Sequence, residues 1–130
     1  MKDIPKVILL IETSRGYGRG LLRGITKYAH INGPWAFYAE PGGLNRALPR
    51  LGNWTPDGII ARDAKERKRI AEMGIPAVVA TQFEEQIPGL GVILADMEAI
   101  AEMAKEHLLE CGFRYFAFCG YDLPLSLIHI

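Results

Sequence analysis

From its seventh residue the chain turns wholly apolar: Val7-Ile8-Leu9-Leu10-Ile11 contains no polar position. An apolar run without alternation marks a strand covered on both faces, as in the middle of a parallel sheet. Polar residues Glu12-Thr13-Ser14-Arg15 follow, then the glycine-rich Gly16–Gly20, then apolar positions at helical spacing. These predict a ligand-facing turn and a helix that ends near His30–Pro34.

The same reading continues along the chain. Trp35–Glu40 is a short aromatic strand closed by Pro41-Gly42-Gly43, and Leu44–Gly52 is a weak helix interrupted by proline. Asp57–Ala61 is a third strand, and Ala64–Met73 a charged helix stopped by Gly74 and Pro76. Ala77–Ala80 is a fourth strand, Glu84–Gly89 a polar loop and Gly91–Ala95 a fifth strand. Asp96 stands where an N-cap belongs, before a helix running to about Cys111. Ile100, Ala101, Ala104, Leu108 and Cys111 form its apolar stripe, Gly112 ends it, and Tyr115–Cys119 is a sixth strand. Strands that alternate with helices predict an α/β fold, a three-layer, Rossmann-like parallel sheet with right-handed crossovers and helices on both faces.

Composition narrows the possibilities further. At 130 residues the chain is one domain or part of one. Fifteen basic residues balance fifteen acidic ones, which offers no basic surface of the kind that nucleic acid attracts. No apolar stretch is long enough to cross a bilayer, and Met1–Pro5 lacks the character of a secretory signal. A cytoplasmic location without membrane contact is therefore expected. Cys111 and Cys119 lack CxxC spacing and are expected to be plain buried thiols.

Thr13, Ser14, Arg15, Tyr17 and Arg19 make the first candidate ligand site, because the polar turn follows a central strand at the edge where α/β proteins hold ligands. Hydroxyls supply donors and acceptors for a polyol, and a guanidinium serves two neighbouring hydroxyls or a carboxylate. The plainer alternative is that Thr13 and Ser14 cap the helix while Arg15 and Arg19 face water. Asp96, Tyr121 and Asp122 follow the fifth and sixth strands and are expected on the same edge, with helix capping as the alternative for Asp96. Gly16-Tyr17-Gly18-Arg19-Gly20, with Glu40 twenty residues on, imitates a dinucleotide fingerprint. Its spacing is GxGxG instead of GxGxxG, however, and Glu12–Arg15 push the first glycine too far from the strand. Those glycines are better explained by a close approach of the helix to neighbouring backbone.

Lys65–Arg69 reads as a solvated helix face, diluted by Glu66 and Glu72, and Trp35 and Trp54 as packing residues. His30 and His107 read as sharing no metal-ligand spacing with each other or with either cysteine, so no metal site is expected. No catalytic triad, P-loop or metalloprotease motif is present in the sequence, and neither catalytic residues nor a cofactor is expected.

Several of these stretches resemble one known family. Val7–Tyr28, Gly33-Pro34-Trp35, Asp57–Ala61, Glu106–Leu109 and Gly112–Gly120 look like the N-terminal half of a sugar-type ligand-binding domain of the LacI/GalR class. The closer likeness is to the xylose-operon-regulator (XylR-like) subgroup of the AraC family. There the sensing domain has the type I periplasmic-binding-protein fold and precedes a C-terminal helix-turn-helix pair. Where that family usually has Asp followed by Asn or Asp, this chain has Asp96-Met97.

The resemblance implies that residues 1–124 are one lobe, truncated, of a sugar-type ligand-binding domain. Residues 125–130, Leu-Ser-Leu-Ile-His-Ile, resemble translated adapter sequence and are expected to be a non-native tail. It further implies a ligand-sensing fragment of a sugar-responsive transcriptional regulator, not an enzyme. Its ligand would be a pentose or related sugar, and it would be a homodimer at full length that reaches DNA only through a C-terminal domain missing here. The alternative from the residues is a nucleotide-dependent oxidoreductase with Glu40 on a ribose. A transport-type binding protein of the same fold is a third reading, disfavoured by the lack of a signal peptide.

Overall fold

In a computed structural model, residues 3–62, 65–82 and 86–120 are described. The chain forms two units, Met1–Ile93 and Leu94–Ile130. In the first, β1 (Lys6–Leu10), β2 (Ala36–Ala39), β3 (Gly58–Arg62), β4 (Ala77–Ala80) and β5 (Leu90–Ile93) alternate with α1 (Gly16–Asn32), α2 (Leu44–Leu51) and α3 (Arg67–Glu72). The strands form a five-stranded sheet in the order β2-β1-β3-β4-β5, with every adjacent pair parallel.

The apolar run at the start of the chain occupies the interior of this sheet. Ile8 is paired with Tyr38 of β2 on one side and Ile59 of β3 on the other. Alternate side chains then enter two different cores. Ile8 and Leu10 join Leu44, Ala47, Ile59, Ala61, Ile70, Ala77 and Val79, which places α2 and α3 on one face. Val7, Leu9 and Ile11 join Leu21, Leu22 and Ile25 of α1 on the other. Three layers result, as the alternating elements predict. Trp35 packs on the α1 side and Trp54 on the other, where its ring lies 6.1 Å from that of Tyr38. The entrance to the sheet is tied by Asp57, whose carboxylate accepts the Lys6 N–H (2.8 Å) while its own N–H donates to the Lys6 carbonyl (2.7 Å).

Helix α3 is shorter than the expected Ala64–Met73. It begins after Glu66, which makes no capping hydrogen bond, and it buries Ile70 alone among its residues. In the second unit α4 (Met97–Glu110) begins at Asp96, whose side chain accepts the Ala99 N–H at 2.9 Å, as an N-cap should. Two expectations fail there. Residues 113–120 form no strand, so the sixth strand, Tyr115–Cys119, is absent. A strand requires a ladder for its N–H and C=O groups, and among the described residues none pairs with this segment. The stripe on α4 has the right spacing but buries none of its residues, and Cys111 and Cys119 are exposed instead of buried.

Because Ile59 is 2% exposed and stands between β1 and β4 in the larger core, Ile59→Ala should lower the unfolding free energy by about 2–5 kcal/mol. Phe37→Ala on the edge strand, where the residue is 37% exposed, should cost clearly less. Urea unfolding curves with an unchanged slope would measure both.

Candidate functional site

The chain leaves β1 toward β2 on one side and later returns to β3 on the other, so the sheet order reverses between β1 and β3. At such a reversal the connections diverge and leave a crevice beyond the carboxyl ends of the two strands. Glu12 lies just beyond β1, and Arg62 is the last residue of β3. Their side chains meet across this point, Arg62 Nη1 to Glu12 Oε1 at 2.8 Å. The Arg62 side chain is 12% exposed, and its guanidinium carbon lies 4.5 Å from the centroid of the Tyr17 ring, in cation–π contact.

The turn between β1 and α1 is held by two groups of side-chain bonds. Glu12 Oε2 accepts the Ser14 N–H (3.0 Å) and the Ser14 hydroxyl. Arg19 Nη1, one turn into α1, donates to the carbonyl oxygens of Thr13 (2.8 Å) and Ser14 (3.0 Å). The Ser14 hydroxyl, above all, holds the Glu12 carboxyl below the ordinary 4.5. The Ser14 N–H, Arg62 and Arg15 act in the same direction, against partial desolvation. The capping alternative for Thr13 and Ser14 fails. The N-cap of α1 is Arg15 with no side-chain cap, and the Ser14 hydroxyl is directed to Glu12.

Thr13, Ser14, Arg15, Tyr17 and Arg19 are thus gathered at one strand end, and all are exposed. Arg19 braces the turn through its carbonyls, so its Nη1 already serves the chain itself. Exposed hydroxyls and guanidinium groups beside an aromatic ring can bind a small hydroxylated molecule through several directional bonds. Asp96 belongs to the second unit, where it caps α4. Tyr121 and Asp122 lie outside the described residues. Sequence reasoning did not assign roles to Glu12 and Arg62. The available signal was a charged residue at the end of each apolar strand.

The glycines of Gly16–Gly20 separate by environment. A Cβ on Gly18 would stand 1.9 Å from the Glu12 carbonyl oxygen, whereas one on Gly20 would meet nothing within 4 Å. Gly18 therefore lets α1 pass close over the end of β1, as the close-approach reading expects. Glu40, the ribose partner in the dinucleotide alternative, is 5% exposed. Its carboxylate accepts the Gly42 N–H (2.9 Å) and pairs with Arg50 (3.1 Å), so it is engaged within the chain.

One expectation fails on α4. His107 and Cys111 are four residues apart on α4, and His107 Nε2 lies 3.8 Å from Cys111 Sγ. An i,i+4 pair shares one helix face, so these two do have a ligand spacing.

Gly18→Ala should destabilise the chain by about 1–3 kcal/mol through the clash with the β1 backbone, while Gly20→Ala should be neutral or stabilising by up to about 1 kcal/mol. Equal effects in urea unfolding would contradict the close approach. Glu12 has a folded pKa below its unfolded value, so its stabilising contribution is complete above about pH 4.5 and is lost as pH falls through the lowered value. The stability difference between wild type and Glu12→Gln should therefore be constant near neutrality and shrink only in acid. A difference that grows on acidification would reverse the sign and refute the assignment.

No family model matches the chain, and no solved structure matches it. Among curated proteins, the xylose operon regulatory protein of Escherichia coli K12 is 28% identical over 93% of this chain and 32% of its own length. That of Haemophilus influenzae KW20 is 28% identical over 91% of this chain and 32% of its own. The chain spans about a third of the length of the curated relatives it matches. Joined to an α/β unit with an all-parallel sheet, these likenesses bear out the resemblance read from the sequence: over nearly its whole length the chain is similar to xylose operon regulatory proteins.

Proposed function

We propose that this chain is the N-terminal, ligand-sensing part of a sugar-responsive DNA-binding transcriptional regulator, and not an enzyme. The observation that carries the proposal is the likeness to xylose operon regulatory proteins across nearly the whole chain. The ligand in this reading is a pentose or related sugar, received at the carboxyl ends of β1 and β3. Thr13, Ser14, Arg15 and Tyr17 face it, and Arg19 braces the turn. Residues 1–124 then make up one lobe of a two-lobe sensor of the type I periplasmic-binding kind.

Ligand held between two lobes favours one hinge state over another by its difference in affinity for the two. In a cytoplasmic homodimer that shift repositions DNA-binding domains. In this reading contact with DNA belongs to another part of the protein, since the chain spans about a third of the length of its curated relatives. The dinucleotide alternative has less support, since Glu40 is occupied by Gly42 and Arg50 and Gly18 is filled against Glu12.

Half a cleft binds weakly, so the test is an amide chemical-shift titration, which registers millimolar affinity. D-xylose and related pentoses should shift amides of residues 12–19 and Arg62, and Arg15→Ala should reduce the shifts. Absence of any shift at saturating pentose, or shifts at this turn with a nicotinamide dinucleotide instead, would overturn the proposal.

A further inference from the structure

The His107–Cys111 pair lies apart from the strand-end site and has no part in the sensing reading. Both side chains are exposed on the last turn of α4. That turn is built before any ligand arrives. The Cys111 N–H donates to the His107 carbonyl (3.0 Å), and the N–H groups of Gly112 and Phe113 close the helix end on Leu109 (2.9 Å) and Leu108 (3.1 Å). The backbone thus fixes the spacing of imidazole and thiol.

The spacing matches a tetrahedral metal ion. With Zn–S near about 2.3 Å and Zn–N near about 2.1 Å, two vertices of a tetrahedron stand about 3.6 Å apart. The observed separation of Cys111 Sγ and His107 Nε2 is 3.8 Å. The surrounding charge favours a cation as well. Helix carbonyls at the C-terminal end carry partial negative charge.

We propose that His107 and Cys111 form a two-residue chelate for a zinc-like divalent cation, with water in the other positions. Among the described residues no group of three or more His, Cys, Asp or Glu is placed to hold an ion, so the chain supplies two ligands only. On binding, Cys111 coordinates as thiolate and releases its proton to solvent, and His107 coordinates through neutral Nε2. Without metal the same contact is a weak thiol–imidazole hydrogen bond.

The test is a Cd2+ titration of the full chain, kept reduced with a phosphine and followed by the ultraviolet thiolate-to-cadmium charge-transfer band. The band should saturate at one Cd2+ per chain, vanish in Cys111→Ser and persist in Cys119→Ser. In His107→Ala the apparent affinity should fall about tenfold or more, since even outer partners of a metal site cost that much. Because both side chains are exposed, these variants keep the fold, and an unchanged far-ultraviolet circular dichroism spectrum verifies it. No band, a band that depends on Cys119, or undiminished affinity in His107→Ala would each overturn the proposal.

Discussion

The burial of β1 on both faces is the constraint on which the rest of the first unit depends. From Val7 onward its side chains are divided between two cores, one under α1 and one under α2 and α3. A slip of one residue would exchange Ile8 and Leu10 with Val7 and Leu9 and mismatch both layers at once. The register with β2 and β3 is therefore tightly specified, and so is the point where the strand stops. Glu12 is delivered to the crevice by packing several residues earlier in the chain.

The ion pair formed there matters more for geometry than for stability. Glu12 is partly exposed, and pairs open to solvent contribute little net free energy. What the pair does is join the ends of two neighbouring strands and hold one carboxylate oxygen for Arg62 while the other organises Ser14. Arg19 adds a clasp on the carbonyls of the same turn. The entry to α1 is thus shaped by side chains from β3 and from α1 itself, in place of a capping residue.

Local features were legible in the sequence. Ala77–Ala80 coincides with β4, the apolar run Val7–Ile11 overlaps β1 in all but its last residue, and Asp96 caps α4, because each depends on short-range periodicity or on a backbone donor three residues away. The Glu12–Arg62 contact spans fifty positions and exists only once the parallel register aligns two strand ends, so no local pattern announces it. The sixth strand fails for the converse reason. An apolar, aromatic segment states what a chain has available to bury, and says nothing of whether a ladder is present to receive it. His107–Cys111 is different again. Its i,i+4 spacing is plain in the sequence, and brings the two side chains together only where the chain is helical.

Gly18 is where the two functional readings part on physical grounds. A dinucleotide turn uses glycine so that a pyrophosphate can approach the backbone in front of the helix. Here Gly16, Gly18 and Gly20 lie inside the first turns of α1, and the space a Cβ would need at Gly18 is already taken by the Glu12 carbonyl. The close approach is thus spent on the chain's own strand, which leaves recognition at this edge to side chains. Hydroxyls, guanidinium groups and one aromatic ring are the vocabulary for a small hydroxylated ligand, and they serve a pyrophosphate less well than a bare row of backbone N–H groups.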